Sequence, residues 1–322
     1  MAHFDVVLFR LLENKMEKYV NSILMIRPSN FRRNVETSKN NFFQKKIKVE
    51  KKQNILDESI KEFDGLVSKL IKCGFKVYIF QDDLKSDTPD SIFPNNWITF
   101  HKNKTIAVYP MFAKNRRLER DRRVLEYLES KNLKFDQVYD YSEAENEGFY
   151  LEGTGSMVLD RINKKAYCSL SDRTCSDLTM EFCDDLNYMP IIFNSYHTIN
   201  YKRKPIYHTN VMMCMAIKYC IICLNSIDCN EEKENIVKSL TDDKKEIIEI
   251  SESQLELFAG NMIELINEKG SFLFMSKSAY KSLDNNQIDK ISKYSTIIYS
   301  PVYTIENCGG GSVRCMIAEI FN

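Results

Sequence analysis

LEGTGSMVLDR, residues 151–161, runs from a polar, glycine-bearing turn straight into an apolar segment. It follows the strand-like QVYDYS (137–142) and precedes AYCSL (166–170), a helical stretch around 175–187 and a further strand-like run, PIIFNS (190–195). FPNNWITFH, YHTNVMMCMA, FAGNMIELIN and GGGSVRCMIAEIF are built the same way. KVYIF (76–80), EIIEIS (246–251) and TIIYSP (296–301) are further strands of the series, and TIAVYP, YCIICL and SFLFMS are the second runs that correspond to AYCSL. The spacing is about 50 to 60 residues, close to the range in which internal repeats mean a propeller or a solenoid. Five units of one plan emerge.

The helices between them are legible. In ILDESIKEFDGLVSKLIKCG the apolar residues Ile55, Leu56, Ile60, Phe63, Leu66, Val67, Leu70 and Ile71 fall mostly three or four apart, and Gly74 stands where a C-terminal cap belongs. Weaker helical patterns occur around 117–130, 231–240 and 278–293. Between the first strand, SILMIRP, and the first helix lies a basic, aperiodic stretch from Ser29 to Asn54, which reads either as a solvated connection or as a lid over an anionic small molecule. Nothing resembles a linker between two domains. The expected organisation is an N-terminal extension, 1–21, that is either a docked helix or disordered, and a single domain over 22–322.

With 45 Lys+Arg against 45 Asp+Glu, the chain carries no basic excess to hold nucleic acid or an acidic membrane surface, so a small molecule is the expected partner. Ten cysteines without a regular framework or a signal-like N-terminus read as reduced thiols in a cytoplasmic protein. The apolar runs VVLFRLL and YCIICL fall well short of the roughly 18 to 20 residues that span a membrane. CIIC (220–223) has metal-pair spacing but lies inside an apolar strand with no second pair, and GGGS lacks the lysine of a phosphate loop. No metal or organic cofactor is expected, and a homo-oligomer is compatible with the sequence.

Of the four histidines, His3, His101 and His197 read as surface or structural. His208 opens the third unit at the place where Glu152 opens EGTGS and where Cys315 follows its glycines. A closed ring of such repeats would turn a carboxylate, an imidazole and a thiol toward one cavity. A thiol beside an imidazole can form a nucleophilic thiolate, and a carboxylate can orient the imidazole. The competing reading is a buried cysteine, a core-edge histidine and a solvated glutamate.

FPNNW, LEGTGSMVLDR, SDRT, PIYHTNVMMC, FAGNM, TIEN and GGGSVRCMIAEIF, in this order over about residues 22–321, resemble the amidinotransferase and arginine deiminase superfamily. The resemblance is to its arginine deiminase-related branch, which includes citrulline utilisation hydrolases. It implies the pentein fold, an α/β five-bladed propeller of ββαβ repeats. It also implies that Cys315 is the nucleophile, His208 the general acid and base and Glu152 its positioner, with the glycines before Cys315 letting the substrate carbon approach the sulfur.

Members acting on guanidinium groups resemble this chain but carry aspartates where it has Asn96 and Asn210. An amide cannot neutralise a buried cation, so these asparagines suit a neutral ureido group, such as that of citrulline, or else they shape their turns. Arg173 and Arg314 resemble arginines that bind the substrate carboxylate, and each could instead be a structural ion-pair partner. The expected activity is hydrolysis of citrulline. The alternatives are an arginine deiminase or dimethylarginine hydrolase-like enzyme, and a propeller that binds without catalysis.

Overall fold

The computed structural model describes residues 20, 22–45 and 54–321. His3, all of the expected extension apart from Val20, and residues 46–53 of the long connection lie outside the described residues. β1 (Ser22–Arg27) runs parallel to β2 (Val77–Gln81), with Met25 opposite Ile79. β3 (Ile98–His101) is antiparallel to β4 (Thr105–Val108), which is parallel to β5 (Gln137–Asp140). β6 (Met157–Asp160), β7 (Lys165–Leu170) and β8 (Met189–Asn194) repeat that arrangement. After the hairpin of β9 (Tyr196–Ile199) and β10 (Lys202–Pro205), it recurs in β11 (Met213–Met215), β12 (Tyr219–Ile222) and β13 (Glu246–Glu249). It recurs again in β14 (Ile263–Asn267), β15 (Gly270–Ser276) and β16 (Thr296–Ser300). β17 (Ala318–Ile320) then pairs antiparallel with β1, Ile320 opposite Ser22, and completes the first sheet.

The architecture is mixed α/β, with five three-stranded sheets of one design among the described residues. Its chemistry is local. An antiparallel pair closes through a tight turn, as at Asn103 and Lys104, both left-handed, whereas a parallel pair needs a crossover. Helices supply these crossovers: Ile55–Lys72, Arg122–Ser130, Ser176–Leu186 and Asn230–Asp242. The last crossover is divided into Lys277–Ser282 and Asn285–Ser292, because Asp284 caps the second piece in a reciprocal box with Gln287.

The expected strands are present to within a residue or two of their ends. The first helix buries Ile55, Phe63, Leu66, Val67 and Leu70, while Ile71 leaves the stripe and is 54% exposed. Gly74, with φ +96°, follows the C-cap residue Cys73. The polar run NSYHTINYKRK (194–204) holds His197. It forms the β9–β10 hairpin, turning on Asn200 and Tyr201, both at positive φ, and it buries His197.

The first strands of neighbouring units lie side by side, β17 against β3 and β11 against both β6 and β14. The turns that lead into them are thereby gathered together. All ten cysteines are free. Among the described residues no helix is long and apolar enough to cross a membrane, and no cluster of three or more His, Cys, Asp or Glu side chains could hold a metal.

Candidate active site

Four of the gathered turns are single helical turns: Pro94–Asn96 before β3, Gly153–Ser156 before β6, Thr209–Val211 before β11 and Val313–Met316 before β17. Glu152 and His208 are the residues at which two of these turns begin, Asn96 and Asn210 lie inside turns, and Cys315 lies inside the last. The plan of the repeat therefore places each side chain, and a fifth residue, Asn261, stands at the corresponding position before β14.

His208 Nε2 lies 2.8 Å from Glu152 Oε2, both side chains being fully buried. Glu152 Oε1 accepts the Phe112 N–H at 3.0 Å. Burial alone would raise the Glu152 carboxyl, but Arg173, the bond to His208 and Arg116 together hold it well below the usual carboxylate range. An ionised Glu152 accepts from Nε2–H, which leaves the lone pair on Nδ1, beside Gly155. Burial lowers His208 to about 4 despite Glu152, so the imidazole is neutral at rest. A Cβ on Gly155 would stand 2.7 Å from His208 Nδ1 and 2.4 Å from Asn96 Nδ2, so this position accepts only glycine.

The Cys315 thiol is also buried, which raises its pKa, with the Ser312 backbone and Asn261 pulling it back in part. Asn261 Nδ2 lies 3.2 Å from Sγ and Asn210 Nδ2 3.7 Å from it. The resting pair is a neutral thiol and a neutral imidazole. The glycines ahead of Cys315 admit close neighbours, and here these are side chains. Gly309 packs on the Phe93 ring, Gly310 (φ +66°) on Asn41 and Gln44, and Asn41 and Gln44 both donate to Gly309 O.

Asn96 Oδ1 accepts from Arg116 Nη1 at 2.8 Å, and its Nδ2 is buried without a partner. Arg116, itself buried, grips Glu119 through two hydrogen bonds of 2.9 and 2.8 Å, the geometry of an ion pair. Arg173 donates to Thr37 O at 3.0 Å, to Asn40 Oδ1 and to Glu152 Oε2 at 3.4 Å, and its guanidinium lies over the Tyr207 ring. Asp90 Oδ2 accepts from Asn34 and Thr37, its Oδ1 is buried without a partner, and burial raises its carboxyl against the pull of Arg116.

One small cavity has His208, Cys315, Asn96, Arg173, Arg116 and Asp90 in its wall. Asn210 is not in that wall: it donates to Thr154 O at 3.0 Å and lines the other cavity, together with Arg314. Thr37 and Asn41 of the long connection also face the small cavity, so the described part of that connection, through Gln44, covers the site. Arg314 does not join the group. Its guanidinium is engaged with Ile317 O at 2.8 Å and Glu319 at 3.1 Å and lines a different cavity, which opens beside Asp160, Glu264 and Met215.

Sequence reasoning missed Arg116, Asp90 and Asn261. Arg116 lies in the uninformative basic run KNRRLER, and Asp90 lies ahead of a motif rather than in one. Asn261 carries a legible signal, because FAGNM opens a unit at the place that supplies a polar side chain in the others.

Comparison with known proteins adds independent findings. The family model for eukaryotic N,N dimethylarginine dimethylhydrolase matches residues 27–322. No curated protein matches. Among solved structures, apo ArgZ, an arginine dihydrolase from the ornithine-ammonia cycle in cyanobacteria, is 15% identical with a TM-score of 0.66, the match covering 94% of this chain and 40% of that one. This chain thus spans well under half of full-length ArgZ. The N-terminal domain of ArgZ, a cysteine-to-serine variant bound to substrate, is 15% identical with a TM-score of 0.69, covering 94% of this chain and 98% of the domain. A dimethylarginine dimethylaminohydrolase, as a histidine-to-glycine variant in adduct with S-methyl-L-thiocitrulline, is 12% identical with a TM-score of 0.62, covering 94% and 100%. At these identities the likeness is one of fold.

Proposed function

The chain belongs to the eukaryotic N,N dimethylarginine dimethylhydrolase family, within the pentein amidinotransferase and arginine deiminase superfamily of C–N hydrolases, and from that premise we propose that it hydrolyses citrulline at the ureido carbon. One observation carries the substrate. Arg116 can only donate, so Asn96 must turn its oxygen to Arg116 and its amide donor into the site, where that donor is buried and unpaired. A buried orphan donor needs an acceptor, which a ureido oxygen is and a guanidinium is not.

In the proposed mechanism, Cys315 gives its proton to His208 Nδ1 as sulfur bonds to the ureido carbon, forming a tetrahedral adduct. Glu152 stabilises the imidazolium that results. His208 then returns the proton to the departing nitrogen as the C–N bond breaks, leaving a thioester. It next takes a proton from the water that attacks the same carbon; the C–S bond then breaks, His208 returns the proton to the Cys315 sulfur, and the carbamic acid released splits into carbon dioxide and an amine. Ornithine, ammonia and carbon dioxide balance the reaction. Arg173 binds the α-carboxylate and the free Oδ1 of Asp90 the α-ammonium. In this reading residues 22–322 form one catalytic domain, working in the cytoplasm without metal or cofactor, and the five sheets are the blades of a five-bladed propeller.

A second reading, a guanidino substrate such as arginine or dimethylarginine, is favoured by charge. Three buried carboxylates, Asp90, Glu119 and Glu152, face two guanidinium groups, Arg116 and Arg173. Burial raises Asp90 and lifts Glu119 to about 7, and a cationic side chain bound beside them would favour their ionised forms. Product analysis with citrulline, arginine and dimethylarginine in parallel separates the readings, with Cys315→Ala as the control. Ornithine from citrulline, lost in the variant, supports the first. Turnover of arginine or dimethylarginine with citrulline untouched refutes it and establishes the second.

A further inference from the structure

We infer that Asn261 is a positioning residue that fixes the sulfur of Cys315 and stabilises its thiolate; the role rests on the proposed identity of Cys315 as nucleophile. The orientation of the Asn261 amide is set by its neighbours. The Arg314 backbone N–H points at one end of it from 3.1 Å, and only oxygen can accept that bond. The other end is therefore the NH2 group, which lies 2.9 Å from Asn210 O and 3.2 Å from both Cys315 Sγ and Asn210 Oδ1, so a sulfur that becomes charged outcompetes the neutral amide oxygen for the second hydrogen.

Three features separate this contact from ordinary packing. Asn261 is fully buried, so solvent does not compete for the sulfur. It joins the turn that carries His208 to the turn that carries Cys315, from a third sheet that contributes no other residue to the chemistry. Its register is fixed by Gly260, where a Cβ would stand 2.3 Å from Val211 O, so the two backbones touch.

The sulfur also lacks a better partner. The Arg314 guanidinium is committed to Ile317 O and Glu319, and the Asn210 amide is farther away and shared with Thr154 O. A neutral thiol is a weak acceptor and a thiolate a strong one, so the Asn261 bond strengthens as the sulfur ionises. That is the property that accelerates a step rather than merely tightening a resting state.

The test is the rate at which iodoacetamide alkylates Cys315, followed by peptide mass spectrometry from neutral pH upward, with the buried Cys168 as internal reference. Asn261→Ala removes the donor. Asn261→Asp keeps an oxygen for Arg314 N–H and nearly the same volume while replacing the donor with an acceptor, and it carries the test if the alanine variant does not fold. Losing one hydrogen bond to a charged group should raise the thiol by about one to two pH units. The thiolate fraction then falls about 10- to 100-fold, and greater intrinsic nucleophilicity returns part of that, leaving alkylation about 3- to 10-fold slower at neutral pH.

The deficit should shrink as the pH climbs and both proteins become thiolate. A folded variant that reacts at the wild-type rate, or one slowed by the same factor at every pH, overturns the inference. If unmodified Cys315 reacts no faster than Cys168, the nucleophile assignment itself fails and takes this role with it.

Discussion

Replacing Asn96 by aspartate changes one atom at the point on which the substrate reading turns. The carboxylate keeps an oxygen for Arg116 Nη1, now 2.8 Å away, and puts a second oxygen where the orphan amide donor stands. A ureido oxygen bound there loses its donor, and an unpaired buried acceptor costs about 1–3 kcal/mol, or about 5- to 150-fold in kcat/KM at about 1.4 kcal/mol per tenfold. A guanidinium N–H gains a charge-assisted bond of about 1.5–3 kcal/mol at the same place. The ratio of kcat/KM for citrulline to that for arginine should therefore fall by on the order of 10²–10⁴. Steady-state assays of ornithine and ammonia release from both amino acids measure it, with a thermal melt to show that the fold persists. An unchanged ratio in a folded variant would refute the argument from the Asn96 donor.

Other expectations follow from the same geometry. Glu152→Gln keeps the volume but puts an amide where a carboxylate holds the His208 Nε2–H, and kcat should drop by about 10²–10⁴ with little change in KM. Arg173→Lys should raise KM for the amino acid, whereas Arg314→Lys, altered in a different cavity, should leave KM alone; the opposite pattern would exchange their roles. His197 is held at about 4 by burial, from an ordinary 6.5, with Glu252 and Arg203 as its charged neighbours. Its unfolded form binds the proton first, so its contribution to stability is complete above about pH 6.5 and is lost as the pH falls toward about 4. Urea midpoints at neutral and mildly acidic pH should show a smaller acid loss in His197→Phe, whose ring can still stack on Phe43.

The repeat was legible because it rests on local chemistry: β-branched strands, a glycine or asparagine turn and an amphipathic crossover, each readable within a dozen residues. The same logic singled out Glu152, His208 and Cys315 as candidates, and they stand at the turns that lead into β6, β11 and β17. What escaped depends on contacts distant in the chain. Arg116 lines the candidate site because it reaches Asn96, 20 residues back, and nothing in KNRRLER distinguishes it from its neighbours. His197 reads from sequence as surface or structural, and its ring stacks on Phe43 at 5.2 Å, across more than a hundred residues, a contact that selects the structural role and that the polar run around it does not announce. Arg314 shows the converse, where proximity to the nucleophile in sequence did not survive the bend of the turn that carries both.

Pairing Ser22 with Ile320 has a consequence for synthesis. On the ribosome β1 emerges early and stands beside β2 with one edge open, while the strand that will cover that edge has yet to be translated. Cys315 arrives with that strand, three residues before β17 begins. Covering the open side of β1 and supplying the candidate nucleophile are therefore one event, so a chain that stops short of Cys315 has neither.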